Sequence, residues 1–164
     1  MHVLEKAKKP LSALKDSVVD VNAINFWLQK FNPLWSGNQA LGKIVQKENA
    51  ANEMVSLTIQ VNRLFKMGEA GQHHPVFARV NGIRYERTYS LTQLDDQHVL
   101  LSVKKVNTGI VSTWLVEQAQ VGDILEFGQP FGDMTLVSNS TPLLLLAAGS
   151  GITPMLSLLK AMSK

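Results

Sequence analysis

Between Leu41 and Val137 apolar and polar residues alternate in short runs separated by turn residues: LGKIVQKEN, EMVSLTIQV, HPVFARV, IRYERTYSL, HVLLSVKKV, DILEFG and MTLV. Every second side chain of a strand points to the same face, so such runs predict half-buried strands. Seven of them at this spacing predict an antiparallel barrel or sandwich. Asn81-Gly82 links the third run to the fourth. That dipeptide predicts a two-residue hairpin, because a type I′ turn needs positive φ at both central positions. Between the fifth and sixth runs, TGIVSTWLVEQAQVGD carries Trp114, Leu115 and Ala119 at helical spacing, which predicts one short helix interrupting the strands.

The two ends of the chain have other textures. Before Leu41, LSALKDSVVDVNAINFWLQKFNPLW spaces its apolar residues loosely as a helix does, and Pro33 stops or kinks it. One or two short helices are predicted there. Phe26, Trp27, Phe31 and Trp35 make the segment aromatic. It has no basic polar face, so it is read as docking on its own domain rather than on a membrane surface. Near the other end PLLLLAAG does not alternate, as in a parallel strand covered on both faces. SGITPMLSLLKAM then runs from a tight loop into a helix, with Thr153 at the cap and Pro154 in the first turn. A parallel strand needs a neighbour and helices on both faces, so this end reads as the truncated start of an α/β domain. The predicted organisation is a helical extension over 1–40, a barrel over 41–138, and the first strand and helix of a second domain over 139–164.

Composition removes some functions. The 164 residues carry 16 Lys and Arg against 13 Asp and Glu, a net charge of +3, with no block of like charge, so nucleic-acid binding is not implied. The chain contains no cysteine, which excludes disulfides, thiolate zinc sites and Cys-ligated iron–sulfur clusters within it. MHVLEKAKKPLSALKD has no apolar signal-peptide core, and PLLLLAAG is too short to span a membrane. A cytoplasmic protein is expected.

Three stretches carry candidate chemistry. In RYERTYSLTQ, Arg87 and Tyr89 project to one face of a strand, roughly 7 Å apart. Arginine offers a planar fork to phosphate, and tyrosine offers a face to a flat ring. Ser90 adds a hydroxyl or a backbone N–H at the strand end. An ordinary exposed strand face explains the same residues, and geometry alone leaves the two readings open. GIVSTWL, opening the lone helix at Gly109, presents unbonded N–H groups that suit an anion, as any helix start does. AAGSGITPM has G-x-G, with Pro154 where a third glycine would complete the dinucleotide fingerprint; it is either a phosphate turn or a structural one. His73 and His74 are adjacent, so in a strand they face opposite ways and do not chelate one metal. Asp95-Asp96 reads as a solvated turn.

Taken in order, Arg87-Thr88-Tyr89-Ser90, Gly109 to Leu115, and Gly149-Ser150-Gly151-Ile152-Thr153-Pro154 resemble the R-x-Y-S, G-x-x-S-x-x-L and G-x-G-x-T-P motifs of the ferredoxin–NADP reductase family. Gly122-Asp123 with Gly128-Gln129-Pro130-Phe131-Gly132 resembles its G-D…G-x-P-x-G segment, and the likeness runs from about Leu41 to the end. The resemblance implies a mainly β fold: a six-stranded antiparallel FAD-binding barrel with one helix, followed by a nucleotide-binding α/β domain. It implies that Arg87 binds the flavin phosphate, that Tyr89 stacks on the ring, and that Ser90, followed by Leu91, lies near N5. Backbone groups of Val111 and Ser112, with Gly109 and Thr113, would hold the pyrophosphate. Val103, Lys104 and Val106 would edge the ribityl chain and phosphate. Gly149, Gly151 and Thr153 would meet NAD(P)H, with Tyr89, Ser90 and Thr153 nearest the reacting atoms. Gly71-Gln72 matches a G-Q pair read as scaffold.

The implied activity is NAD(P)H-dependent reduction of FAD, with FMN less favoured, and release of electrons to a ferredoxin, a flavodoxin or a fused 2Fe-2S domain. The F-W-L…N-P-L-W-S extension resembles reductases that serve desaturases or oxygenases. Such a chain, with its nucleotide domain incomplete, is expected to turn over slowly or not at all. Asn107-Thr108, where the family often has a second glycine, and Met134, where an aromatic is common, depart from the pattern. The alternative is a noncatalytic flavin- or nucleotide-binding barrel.

Overall fold

The computed structural model describes residues 20–136 and 143–163. The helical expectation for Leu11–Val19 and the boundary near 138 lie outside those residues. Helix α1, Val21–Phe31, is capped by Asp20, whose carboxylate accepts the Asn22 N–H at 2.9 Å. It ends at Asn32, held extended (φ −145°, ψ 120°) as the residue before a proline must be. Seven strands follow: β1 (Ala40–Ala51), β2 (Met54–Val61), β3 (His73–Val80), β4 (Ile83–Ser90), β5 (Thr92–Gln93), β6 (His98–Lys104) and β7 (Ile124–Phe127). Helix α2, Ile110–Thr113, continues into a π-turn, Trp114–Gln118, closed by the Ala119 N–H to the Trp114 carbonyl at 2.8 Å. Helix α3, Ile152–Met162, completes the described chain.

All strand pairings are antiparallel, in the order β4-β3-β7-β1-β2-β6-β5. The two edge strands of that order, β4 and β5, are consecutive in sequence and separated only by Leu91. One extended run therefore leaves β3 and lands on β6, which curls the sheet into a barrel. The register of β1 shifts between Ile44 and Gln46 and again between Asn49 and Ala51, and such bulges bend a long strand around a core. The alternating runs predicted seven strands and the family resemblance six; the described residues hold seven, six from the first six runs and a short one, Thr92–Gln93, that follows the fourth run past Leu91, which is fully buried between them.

The alternation predicted for the strands is the alternation of burial. In β2, Val55, Leu57 and Ile59 point inward; in β6, Val99, Leu101 and Val103; in β3, His74, Val76, Ala78 and Val80. Val111, Leu115 and Ala119 plug α2 and its π-turn into this core. The hairpin at Asn81-Gly82 has φ of 51° and 80°, as a type I′ turn demands. MTLV forms no strand over Met134–Leu136. Leu143–Ala148 carries no regular structure either, and Leu144 and Leu146 are exposed. A parallel strand forms only against a neighbour, and none of the seven strands pairs with this run.

Helix α1 is tied to its own chain through a polar residue rather than its aromatic ones. Its buried residue is Asn25, whose side chain donates to Asn38 Oδ1 (2.7 Å) and accepts from the Gly37 N–H (2.8 Å) and the Ser36 hydroxyl (3.2 Å). Phe26, Trp27 and Phe31 are left exposed. The loop after α1 is tied to the barrel by Asn62, which donates to the Leu34 and Gln39 carbonyls. Among the described residues no helix is long and apolar enough to cross a membrane.

His74 is fully buried, stacked on Phe65 with ring centroids 5.2 Å apart. Its Nε2 accepts the Gly68 N–H at 3.3 Å, so Nδ1 carries the proton and donates to the Gly128 carbonyl at 3.4 Å. Burial holds its pKa below the ordinary 6.5. The folded state therefore binds fewer protons than the unfolded one, and stability is full above about pH 6.5 and falls as the pH drops below it. Urea midpoints at pH 7.5 and 5.5 check this: the His74→Gln variant is expected to lose less on acidification than the wild type.

Candidate functional site

Strand β4 has no buried residue, unlike β2, β3, β6 and β7, although it lies in the same barrel. Its register explains which side chains share a face. Tyr85 lies opposite Ala78, Arg87 opposite Val76, and Tyr89 opposite His74, all core-facing positions of β3. Tyr85, Arg87 and Tyr89 therefore stand on the inner face. Arg84, Glu86 and Thr88 stand on the outer face. The inner face stays open along β4 because only the two residues of β5 bridge to β6, and α2 packs against β3 and β4 beside the opening.

The two arginines of this strand differ in what satisfies them. Arg84 makes a two-pronged ion pair with Glu126 (3.1 and 2.9 Å) and lies 3.6 Å over the Phe77 ring. Arg87 donates to the carbonyl of its own neighbour Glu86 and has no carboxylate partner among the described residues. A guanidinium on an open face without a counter-ion is suited to an incoming anion. Tyr89 is half-buried and packs on the core. Burial pushes its phenol pKa up, and the charge of Arg87 opposes that rise, which marks the two groups as electrostatic neighbours. Ser90 ends the strand opposite His73, on the other face from Tyr89.

Helix α2 lies beside the same opening, in contact with β3 and β4. Its first N–H groups have no partner within the helix by construction. The Ser112 hydroxyl is turned away from any ligand: it accepts the Val106 N–H at 3.1 Å and donates to the Gly109 carbonyl at 3.3 Å. Gly109 is required by the fold as well, since a Cβ there would meet Ser112 Oγ at 2.5 Å. What this loop offers an anion is backbone. Thr108 sits at φ 68°, a left-handed conformation that costs a β-branched residue about 1–2 kcal/mol. Thr108→Gly is expected to raise stability by up to about 1 kcal/mol, read as a higher urea midpoint.

The remaining predicted residues divide. Val103 and Leu91 are core residues, at 2% and 0% exposure, so only their backbones are available to a ligand. Val106 is exposed. Lys104, Gly149 and Thr153 are brought together with Met54 and Ser102 around a cavity of about 190 Å³. Gly149 takes φ 55°, and a Cβ at Gly151 would meet nothing. Gly71 and Gln72 are scaffold as expected: Gln72 donates to the Gly132 carbonyl at 3.0 Å, and Gly71, at φ 95°, lies against the Met134 backbone and Leu158 of α3. His73 and His74 do point to opposite faces, with His73 edge-on to Phe131. Sequence reasoning missed Lys105. Its ammonium sits 2.6 Å from Glu117 and 3.6 Å from Glu53, tying the helix to the β1–β2 hairpin; nothing in local spacing announces a contact between segments so far apart.

A protein-family profile described as "Oxidoreductase FAD-binding domain" matches residues 42–136, the stretch that holds β4, α2 and the barrel. The chain belongs to the oxidoreductase FAD-binding domain family. This FAD-binding domain is 34% identical over 131 residues to a flavohemoprotein of Pseudomonas putida, covering 77% of this chain and 33% of that protein. It is 32% identical over 143 residues to an NADPH oxidoreductase of Mycobacterium tuberculosis, covering 83% and 38%. Among solved structures it resembles flavohemoglobin from Malassezia yamatoensis with bound FAD and heme, at 26% identity and TM-score 0.69, over 77% of this chain and 34% of that one. It also resembles phthalate dioxygenase reductase, at 29% identity and TM-score 0.62, over 74% and 39%. The chain thus spans about a third of the length of the relatives it matches. The fold of the FAD-binding domain is that of ferredoxin-reductase-like flavoproteins.

Proposed function

We propose that this chain binds FAD and forms the flavin-holding part of an NAD(P)H-dependent reductase, delivering electrons to a one-electron acceptor. The observation that carries the reading is the pairing of Arg87, without a carboxylate partner among the described residues, with half-buried Tyr89 on one open face beside the start of α2. FAD, when bound, supplies the exchange between a two-electron hydride donor and one-electron acceptors. The chain supplies the rest. Arg87 and the backbone groups of Val111 and Ser112, with Gly109 and Thr113, neutralise the pyrophosphate, and Tyr89 covers one face of the ring and keeps water from it. Thr153 and Gly149, which line one cavity with Lys104, meet the nicotinamide in this proposal.

Relatives described as an NADPH oxidoreductase and as a reductase passing electrons from pyridine nucleotides to a 2Fe-2S centre support this class of reaction. The acceptor proposed is a ferredoxin, a flavodoxin or a fused 2Fe-2S domain, in the cytoplasm, with an oxygenase or desaturase as a further recipient.

Anaerobic mixing of the FAD-loaded, full-length gene product with NADH or NADPH tests the proposal. Rapid loss of oxidised-flavin absorbance with either coenzyme supports it. FAD that binds but stays oxidised with both favours the noncatalytic binding module instead.

A further inference from the structure

Tyr85, Arg87 and Tyr89 occupy three successive inner-face positions of β4, opposite Ala78, Val76 and His74. Both tyrosines are half-buried against the core cluster, while the arginine between them is exposed. Inner-face neighbours on a strand are about 7 Å apart. The face therefore reads ring, cation, ring, with about 14 Å between the two tyrosine positions. Among the described residues the Tyr85 hydroxyl has no protein partner, so the ring is what this position offers. The outer-face residues of the same strand do other work, as the ion pair of Arg84 with Glu126 shows.

A flavin mononucleotide presents one flat ring and one anionic group. A flavin dinucleotide presents a flat ring, a pyrophosphate and a second flat ring. The ring–cation–ring order on β4 matches the second pattern and has one ring too many for the first. We propose that Tyr85 selects FAD over FMN by stacking on the adenine, while Arg87 meets the pyrophosphate and Tyr89 the flavin. The inference rests on the flavin reading of the site and adds to it the residue that discriminates between the two flavins. Stacking of a base on an aromatic side chain is sequence-tolerant, depends on the π-face and is lost on replacement by an aliphatic side chain.

The test is fluorescence titration of the apo-chain with FAD and with FMN, for wild type, Tyr85→Phe and Tyr85→Leu. Tyr85→Leu keeps apolar bulk against the core and removes only the flat face. The wild type is expected to prefer FAD. Tyr85→Phe keeps that preference, and Tyr85→Leu reduces it about tenfold through weaker FAD binding alone. An unchanged FAD-to-FMN ratio in Tyr85→Leu, including a parallel loss for both flavins, overturns the role of Tyr85 and leaves the flavin site standing. A wild type that binds neither flavin overturns the flavin reading itself. Should Tyr85→Leu not fold, hydrogen exchange on the wild type decides. ADP is expected to protect the β4 amides from hydrogen exchange more strongly than inorganic pyrophosphate does, and equal protection counts against the proposal.

Discussion

Arg87→Ala weakens FAD binding about 10- to 100-fold, while Arg84→Ala leaves it within about a factor of three. The magnitude is that of hydrogen bonds to a charged group, about 1.5–3 kcal/mol. The contrast follows from the two faces of β4. Arg84 is engaged by Glu126 and Phe77 on the outside of the barrel. Arg87 stands on the open inner face, with a backbone carbonyl as its protein partner. Arg87→Lys is expected to restore only part of the affinity, because an ammonium keeps the charge and loses the planar two-pronged geometry. Equilibrium titration by quenching of flavin fluorescence reads all three variants. Equal losses for Arg84→Ala and Arg87→Ala would mean that the face assignment is wrong.

Leu115→Ala lowers stability by about 2–5 kcal/mol, and with it the melting temperature by roughly 5–15 °C. Leu115 is fully buried and is the residue by which the turn after α2 plugs into the barrel. Removing it leaves a cavity in the core next to α2, and if the proposed pyrophosphate contact at the start of α2 is right, FAD affinity falls as well. Val21→Ala on the exposed side of α1 is the control. That helix is held by the hydrogen bonds of Asn25 rather than by apolar burial, and the change is expected to alter stability by less than about 0.5 kcal/mol. Thermal melts with and without FAD check both effects.

The barrel was legible because its strands bury one face, and alternation survives in the sequence wherever one face is buried. β2, β3, β6 and β7 show it plainly. β4 was legible as a strand, and its R-x-Y-S run pointed to a flavin through the family resemblance, while strand geometry alone left a plain exposed face equally open. Its inner face carries Tyr85, Arg87 and Tyr89 where aliphatic residues would be expected, and only the register with β3 shows that they face the barrel's opening rather than solvent on the far side. The break at Leu91 had no local signal, since nothing in Tyr89-Ser90-Leu91-Thr92-Gln93 marks the end of a strand. The role of Asn25 was hidden for a related reason. Helical periodicity weighs apolar residues, and this helix is anchored by an amide whose partners lie 11 to 13 residues downstream. The glycines of the G-x-P-x-G segment make room for protein: Gly128 for Pro75 and Gly132 for His73.

Hydrogen exchange on the 164-residue chain, with and without saturating FAD, tests the central claim most directly. The account predicts protection concentrated in two segments, Tyr85–Leu91 and Thr108–Thr113, with α1 unchanged. Protection absent from both segments, or centred on α1, would contradict it.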